Sequence, residues 1–299
     1  MKFISKRLNH SAPDLKKGHL GSRLLLHLSA LGLLLIAFVL TLILLFPVQA
    51  LRDRVEQMIF TQSGVRVDIG GLSVTPPLTL TLRDLRWQPE LRNWPPVQVA
   101  ALRLSPVWSG LFSANPGVHF NAAFAVGSIQ GQASRDGSLK AAIKGVGIAP
   151  FLPEAFPYPV QGTLSGNFES LGELLANSGQ ASVQLRLEGG ALTGLESLGA
   201  ANGRLSLGQV DLRADLQGRN LRIEELRATE GDLRVDGKGT LLLGADAPSS
   251  RLTAQIELTP APSLDPNLAD LLLLTGVNPD PTGIYRLRLS GSLAAPVVR

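Results

Sequence analysis

The 299-residue sequence contains no cysteine, four histidines and few aromatic residues, which make up 5% of the chain. Without cysteine, the protein can form neither disulfides nor a thiol nucleophile. His10, His19 and His27 all fall in the first tenth of the chain, so His119 is the one histidine of the long remainder. A single histidine excludes a conventional zinc site and leaves little basis for a Ser-His-Asp triad.

Nucleotide-binding and acid–base motifs are missing as well. The segment 236–240, Asp-Gly-Lys-Gly-Thr, lacks the Gly-x-x-x-x-Gly-Lys-Ser/Thr spacing of a phosphate-binding loop, and its glycines favour a hairpin turn instead. The charged residues Arg222, Glu224, Glu225 and Arg227 are best explained as cross-strand surface charges. We therefore predict a protein that is not an enzyme, with no catalytic residue, no cofactor-binding residue and no metal ligand.

The net charge of +4 and the pI near 9.7 come from one end of the chain. Residues 1–23 hold six Lys and Arg against one Asp, which leaves a net charge of −1 for the remainder. A nucleic-acid-binding protein needs its positive charge on the folded surface, so nucleic acid is not an expected partner. Residues 1–23 are instead predicted to form a basic cytoplasmic tail.

Residues 24–46 form an uncharged apolar run, interrupted by the polar side chain of His27 near one end. About 20 apolar residues cross the hydrocarbon core of a bilayer as a helix, so this run predicts a single transmembrane signal anchor. Basic residues before a first span keep that side in the cytoplasm. The protein is therefore predicted to be a single-pass membrane protein whose residues 47–299 are translocated, which in a bacterium places them in the periplasm.

A cleaved signal peptide is the alternative, because small residues at Val48 and Ala50 fit the spacing of signal peptidase. The apolar run is longer than a usual signal core, which favours an uncleaved anchor, but cleavage after Ala50 stays open. Residues 47–63 carry apolar side chains at helical spacing between Pro47 and Gly64. They predict an amphipathic connecting helix that caps the end of the following sheet.

From residue 64 onward, apolar and polar residues alternate with a period of two, which is typical of strands with one dry and one wet face. Many short strands at near-regular spacing predict an extended, twisted antiparallel sheet over residues 64–299. Turns are expected at Asp136-Gly137 and Glu230-Gly231. The predicted strands cover residues 65–69, 78–83, 97–99, 102–104, 118–134, 139–148, 160–168, 181–187, 203–207, 210–216, 221–226, 232–243, 252–258 and 284–293.

A few features interrupt this pattern. Four prolines within residues 150–159 predict a connection or a subdomain break. Short helices are expected at residues 171–177 and 268–275, the second introduced by Asp265-Pro266. The three tryptophans, at positions 87, 94 and 108, cluster near prolines, where they serve either edge packing or contact with a partner.

Four segments resemble the type II secretion system protein N family of bacterial inner-membrane proteins. They are the run from the predicted span into residues 51–57, the strands at 64–74 and 78–85, and the ending at 285–296. The resemblance implies a non-enzymatic role in exporting folded periplasmic proteins across the outer membrane, by scaffolding other secretion components. The same start and end are also similar to AsmA-type proteins, whose anchored, twisted β groove is linked to lipid transport and outer-membrane assembly.

The two resemblances imply different uses of the aliphatic sheet face. A secretion scaffold implies a packed core, and an AsmA-like protein implies a groove that holds lipid. The alternation of residues suits both arrangements. The sequence leaves open the direct partners, the oligomeric state and the secreted substrates.

Overall fold

The computed structural model describes residues 66–88, 95–110, 115–152, 158–172, 178–244, 249–273 and 277–298, together with six helical positions between residues 49 and 61. Across these ranges, no helix has the length and apolarity that a membrane crossing requires. The predicted tail, the predicted anchor at 24–46 and its His27 lie outside the described residues. They stay predictions.

In the described part of the chain, fourteen antiparallel strands form one sheet, in which every strand pairs with its neighbours in sequence order. The prediction of a mainly β protein with an antiparallel sheet is confirmed. The strands are β1 (Arg66–Thr75), β2 (Thr79–Gln88), β3 (Val97–Pro106), β4 (Gly117–Ala123), β5 (Ser128–Ser134), β6 (Leu139–Gly147), β7 (Val160–Leu171), β8 (Gln180–Thr193), β9 (Arg204–Gln217), β10 (Asn220–Thr229), β11 (Leu233–Leu242), β12 (Arg251–Pro260), β13 (Tyr285–Ser292) and β14 (Ala295–Val298).

The two predicted turns are confirmed. Residues 135–138 join β5 to β6, where the Asp136 carboxylate accepts hydrogen bonds from the Ser138 backbone and hydroxyl at 2.9 and 2.7 Å. Residues 230–232 join β10 to β11, and Glu230 adopts a positive φ of 64° there. Short local turns of this kind place consecutive strands side by side, which explains why the sheet order follows the chain order.

Several strand predictions need correction. Residues 236–240 lie inside β11 and form no hairpin, because Gly237 and Gly239 face the apolar side chains of Ile256 and Ala254 on β12. The segments 203–207 and 210–216 belong to the single strand β9, and the segment 118–134 divides into β4 and β5. The predicted final strand at 284–293 is followed by a further strand, β14.

The proline-rich segment at 150–159 does not interrupt the sheet, since β6 and β7 on either side of it pair directly. Leu171, predicted to begin a helix, ends β7, and residues 173–177 lie outside the described part of the chain. The helix expected at 268–275 is present as α1 (Pro266–Leu273). Asp265 begins it, since its carboxylate accepts a hydrogen bond from the Asn267 backbone at 2.9 Å.

The described positions between residues 49 and 61 are helical, and one of them, Glu56, reaches the first strand of the sheet. The backbone N–H of Ile69 in β1 donates to the Glu56 carboxylate at 3.0 Å, and Arg52 forms an ion pair with the same carboxylate at 3.1 Å. An unpaired N–H on an edge strand is a site for unwanted strand pairing, and Glu56 covers one such group. The connecting helix over residues 47–63 as a whole stays a prediction.

The apolar alternation in β1 to β3 shifts by one residue at Gly70 and Asp84. Asp84 has a φ of +51°, and a Cβ on Gly70 would lie 2.8 Å from the Cβ of Asp84. Because of this shift, residues on both sides of the irregularity face the same way, and Ile69 and Leu85 pack in one cluster with Leu82. The aliphatic side chains thus stay on one face along the full length of these strands.

A second apolar cluster lies at the opposite end of the strands from the β9–β10 turn. Here Leu195 and Ala200, from the β8–β9 connection, pack against Leu264 and Leu268 at α1. The Asp265 carboxylate accepts a hydrogen bond from the Ala201 backbone at 2.7 Å, and this bond holds the helix to the connection. The 24-residue connection between β12 and β13 therefore packs against the ends of β8 and β9, which lie several strands away in the sheet.

Trp87 and Trp108 lie near opposite ends of β3 and are both exposed, so edge packing and contact with a partner both stay predictions. Trp87 pairs with Val97, the first residue of β3, whereas Trp108 follows Pro106, the last residue of that strand. A strand rises about 3.3 Å per residue, so these two indoles lie roughly 30 Å apart. Trp94 lies outside the described residues.

Candidate functional site

The aliphatic face of the sheet is the candidate functional site. The strand registers align its side chains in rows that run perpendicular to the strands, from one strand to the next. One row crosses all fourteen strands without a polar side chain. Its members are Val74, Leu80, Leu104, Phe120, Gly131, Ala141, Phe168, Val183, Ala214, Ile223, Gly239, Ala254, Leu289 and Val298.

A neighbouring row is equally apolar over thirteen strands. It consists of Leu72, Leu82, Leu102, Ala122, Ile129, Ile143, Gly166, Leu185, Leu212, Leu226, Gly237, Ile256 and Leu287. Adjacent strands lie about 4.8 Å apart, so each row is roughly 60 Å long. The face therefore offers a continuous hydrocarbon surface much longer than a single side-chain pocket.

Most of these side chains remain partly exposed. In the two rows, Leu82, Ala214 and Ala254 are buried, and the larger residues of β8 to β13, such as Leu212 and Ile256, are half-buried. A sheet in a two-layer domain buries this face against a second layer. Within the described residues, the two clusters at Ile69 and at α1 supply the main local cores, and the aliphatic face between them is open.

Two open depressions of about 540 Å³ each lie over the first row, one at Gly239 and the other at Gly131. Most of their lining residues are polar or charged and alternate with the row members along each strand, such as Arg222 and Lys238 at the first depression and Lys140 at the second. Alternate residues of a strand point to opposite faces of a sheet, so these lining side chains belong to the polar face. The aliphatic face itself suits an apolar ligand or an apolar protein surface, because it presents hydrocarbon without charged groups in its two central rows.

The opposite face is polar and carries a row of charged side chains of both signs across β8 to β13. Its members in register are Arg186, Asp211, Arg227, Asp236, Glu257 and Arg286. Three ion pairs link neighbours in this row. Arg186 pairs with Asp211 at 2.7 Å, Arg227 pairs with Asp236 at 3.1 Å, and Arg286 pairs with Glu257 at 3.1 Å. Each connects adjacent strands and so favours the observed register.

The Arg186 side chain donates a hydrogen bond to Asp211 and, together with a bond from Gln209, lowers the pKa of that carboxyl. A lowered folded-state pKa stabilises the fold above the unfolded pKa of about 3.9, and the contribution disappears as pH falls through the folded pKa. We expect Asp211→Asn to cost less than about 1 kcal/mol at pH 7, because exposed pairs contribute little. The cost should shrink as pH falls below the unfolded pKa of about 3.9 and vanish once the pH lies below the lowered folded-state pKa.

Urea titrations at a series of pH values measure this difference. The Arg186→Gln variant should show the same pH dependence, and the double variant should lose no further stability. A cost of Asp211→Asn that does not shrink as pH falls below about 3.9 would contradict the assignment.

The residues that the sequence identified as chemically relevant are dispersed. His119 is exposed on β4. Glu225 forms cross-strand and same-strand ion pairs with Arg213 and Arg227 at 3.7 and 3.0 Å, which agrees with the predicted surface role. The described residues include no group of three or more His, Asp or Glu side chains arranged to hold a metal ion.

The continuous rows of the aliphatic face were not identified from the sequence. Each strand shows its own alternation, but a row exists only when the registers of fourteen strands are aligned. The available signal in the sequence was the many glycines and alanines at positions of the apolar face. Their small side chains leave that face with little bulk to fill a packed core.

A comparison with protein-family models matches residues 73–288 to the family described as Type II secretion system (T2SS), protein N. The matched segment begins in β1 and ends in β13, and it covers well over half of the chain. Searches of curated proteins and of solved structures found no match. The family match over nearly the whole sheet shows that the chain belongs to the type II secretion system protein N family.

Proposed function

We propose that this protein is a non-enzymatic component of the bacterial type II secretion system that acts in the export of folded periplasmic proteins across the outer membrane. The family match over residues 73–288 carries the proposal. The family supports a location in the bacterial envelope and an interaction with other secretion components.

The proposed organisation follows the sequence. Residues 1–23 are the cytoplasmic tail, residues 24–46 the inner-membrane anchor, residues 47–63 the connecting helix and residues 64–299 the periplasmic domain. A sheet of fourteen strands linked by ion pairs suits a scaffold, because it presents long surfaces of fixed geometry to its partners. Contacts of this type need no catalytic residue.

A second candidate function is the binding or transfer of lipid between the inner and outer membranes, as in AsmA-type proteins. The specific observation in its favour is the aliphatic face, whose two central rows are uncharged and mostly half-buried. Acyl chains would lie on such rows without loss of hydrogen bonds. The AsmA-like groove is therefore proposed as an alternative use of the same fold.

A strain that lacks this chain separates the two functions. We expect this strain to secrete less protein into the culture medium, while its outer membrane keeps its resistance to detergent. Expression of the full-length chain should restore secretion. Normal secretion with a detergent-sensitive outer membrane would contradict the secretion function and favour lipid handling. Complementation with Ile256→Lys, which places a charge in the central row, tests whether the aliphatic face is required.

Gentle purification of the full-length chain followed by mass spectrometry provides the chemical test. Copurified acyl chains that are lost in Ile256→Lys would support the second candidate. Their absence from the unchanged protein would contradict it.

A further inference from the structure

The end of β11 breaks the alternation that the rest of the sheet obeys. Residues 241–243 are three consecutive leucines. Leu242 is in register with Arg251 of β12, which in turn is in register with Ser292 of β13, so Leu242 belongs to the polar face. Its side chain is 54% exposed. A single exposed leucine is ordinary, so its meaning depends on whether other apolar side chains lie beside it.

Further exposed apolar side chains lie at the same corner of the sheet. Leu293 in the β13–β14 turn is 43% exposed, and Val297 of β14 is 51% exposed. Val297 pairs with Ser290, so it also belongs to the polar face. The Leu293 backbone N–H donates to the Ser250 carbonyl at 3.0 Å, which holds this turn beside the start of β12. We refer to Leu242, Leu293 and Val297 as the corner patch.

Two arginines accompany the corner patch. The Arg219 side chain donates to the Leu243 backbone carbonyl at 2.8 Å, and Arg251 is exposed at the first position of β12. Neither arginine forms an ion pair with any described residue, whereas Arg227 and Arg286 on the same face do. The turn between β11 and β12 contains one acid in its sequence, Asp246, which leaves the corner with a net positive charge.

We propose that this corner contacts the surface of an anionic lipid bilayer. The side chains of the corner patch enter the boundary between head groups and acyl chains, and the guanidinium groups of Arg219 and Arg251 bind lipid phosphates. Apolar side chains next to cations are the combination that interfacial membrane contacts require. The inference needs an envelope location and is independent of which of the two proposed functions is correct.

The charges favour a bilayer over a second copy of the chain. Two corners that met across a two-fold axis would bring the arginines of both copies together, and this like-charge contact would be unfavourable. A surface of anionic phosphates supplies opposite charge to the arginines and hydrocarbon to the leucines.

The absence of cysteine permits a direct test with site-specific labels. Leu242→Cys and Leu293→Cys are each labelled with an environment-sensitive fluorophore in the full-length chain, which is placed in lipid nanodiscs that contain nitroxide-labelled lipid. Val126→Cys is the matched control, since Val126 is 56% exposed and lies in the β4–β5 turn at the opposite ends of the strands. Circular dichroism verifies that each variant keeps its β structure.

We expect roughly twofold or more quenching at 242 and 293 relative to 126, increasing with the fraction of anionic lipid. Arg219→Gln together with Arg251→Gln should reduce that quenching. Equal quenching at 126 and 242 would overturn the proposal. Protection of 242 from aqueous iodide without quenching by lipid would also overturn it, since a protein surface would then cover the patch.

Discussion

Replacing Ile69 with alanine is expected to lower the free energy of unfolding by about 2–4 kcal/mol. Ile69 is 0% exposed and packs against Leu82 and Leu85, which are 3% and 8% exposed. The substitution removes buried methyl groups and leaves a cavity, because neighbouring strands that are held by their ladders cannot close around it. Most of the sheet is half-buried, so this cluster contributes an unusually large share of the burial.

Chemical denaturation of the full-length chain, followed by tryptophan fluorescence, measures this loss. Val67→Ala is the matched control, since Val67 packs against the same cluster and is only partly buried. We expect the control to cost about 1 kcal/mol. An Ile69→Ala cost no larger than that of the control would show that the cluster is not a core.

Replacing Gly131 with valine is expected to cost about 3 kcal/mol. A Cβ at this position would overlap the Lys140 backbone carbonyl and lie 2.7 Å from Cζ of Phe120. The Phe120 ring, which pairs with Gly131 across β4 and β5, covers the space where a side chain would stand. Valine therefore displaces both the ring and the neighbouring strand β6.

Gly71→Val is the matched control for this substitution. Gly71 lies in β1, and a Cβ there would meet the Arg83 Cβ at an ordinary contact distance of 3.8 Å. The control should change stability by less than about 0.5 kcal/mol, as is usual where the structure has room. Thermal unfolding monitored by circular dichroism compares the two variants, and similar losses would contradict the role of close approach at Gly131.

The class of fold could be predicted from the sequence because its signals are local. Alternation in stretches such as Val183 to Leu187 predicts a strand with one apolar and one polar face, and Asp136-Gly137 predicts a hairpin turn. Asp265 and Pro266 similarly mark the start of α1. These patterns depend on neighbours in the chain, which the sequence displays directly.

Local patterns failed where a contact with another strand decided the conformation. The glycines of 236–240 suggested a turn, yet they are strand residues, because β12 brings Ile256 and Ala254 against them. The shift at Gly70 depends in the same way on Asp84 of β2. No pattern within one strand reports what its neighbour places opposite to it.

The sequence by itself determined that this protein has an amphipathic β sheet, a polar face rich in paired charges and a family membership in type II secretion. Only the tertiary structure decided that the strands form one sheet in chain order, that their aliphatic residues align in rows across fourteen strands and that those rows are left partly exposed by the residues that the structure describes. The physical reason is that alternation specifies a dry face but not what covers it. Coverage depends on where distant elements pack, and α1 reaches only the ends of the strands near Leu195.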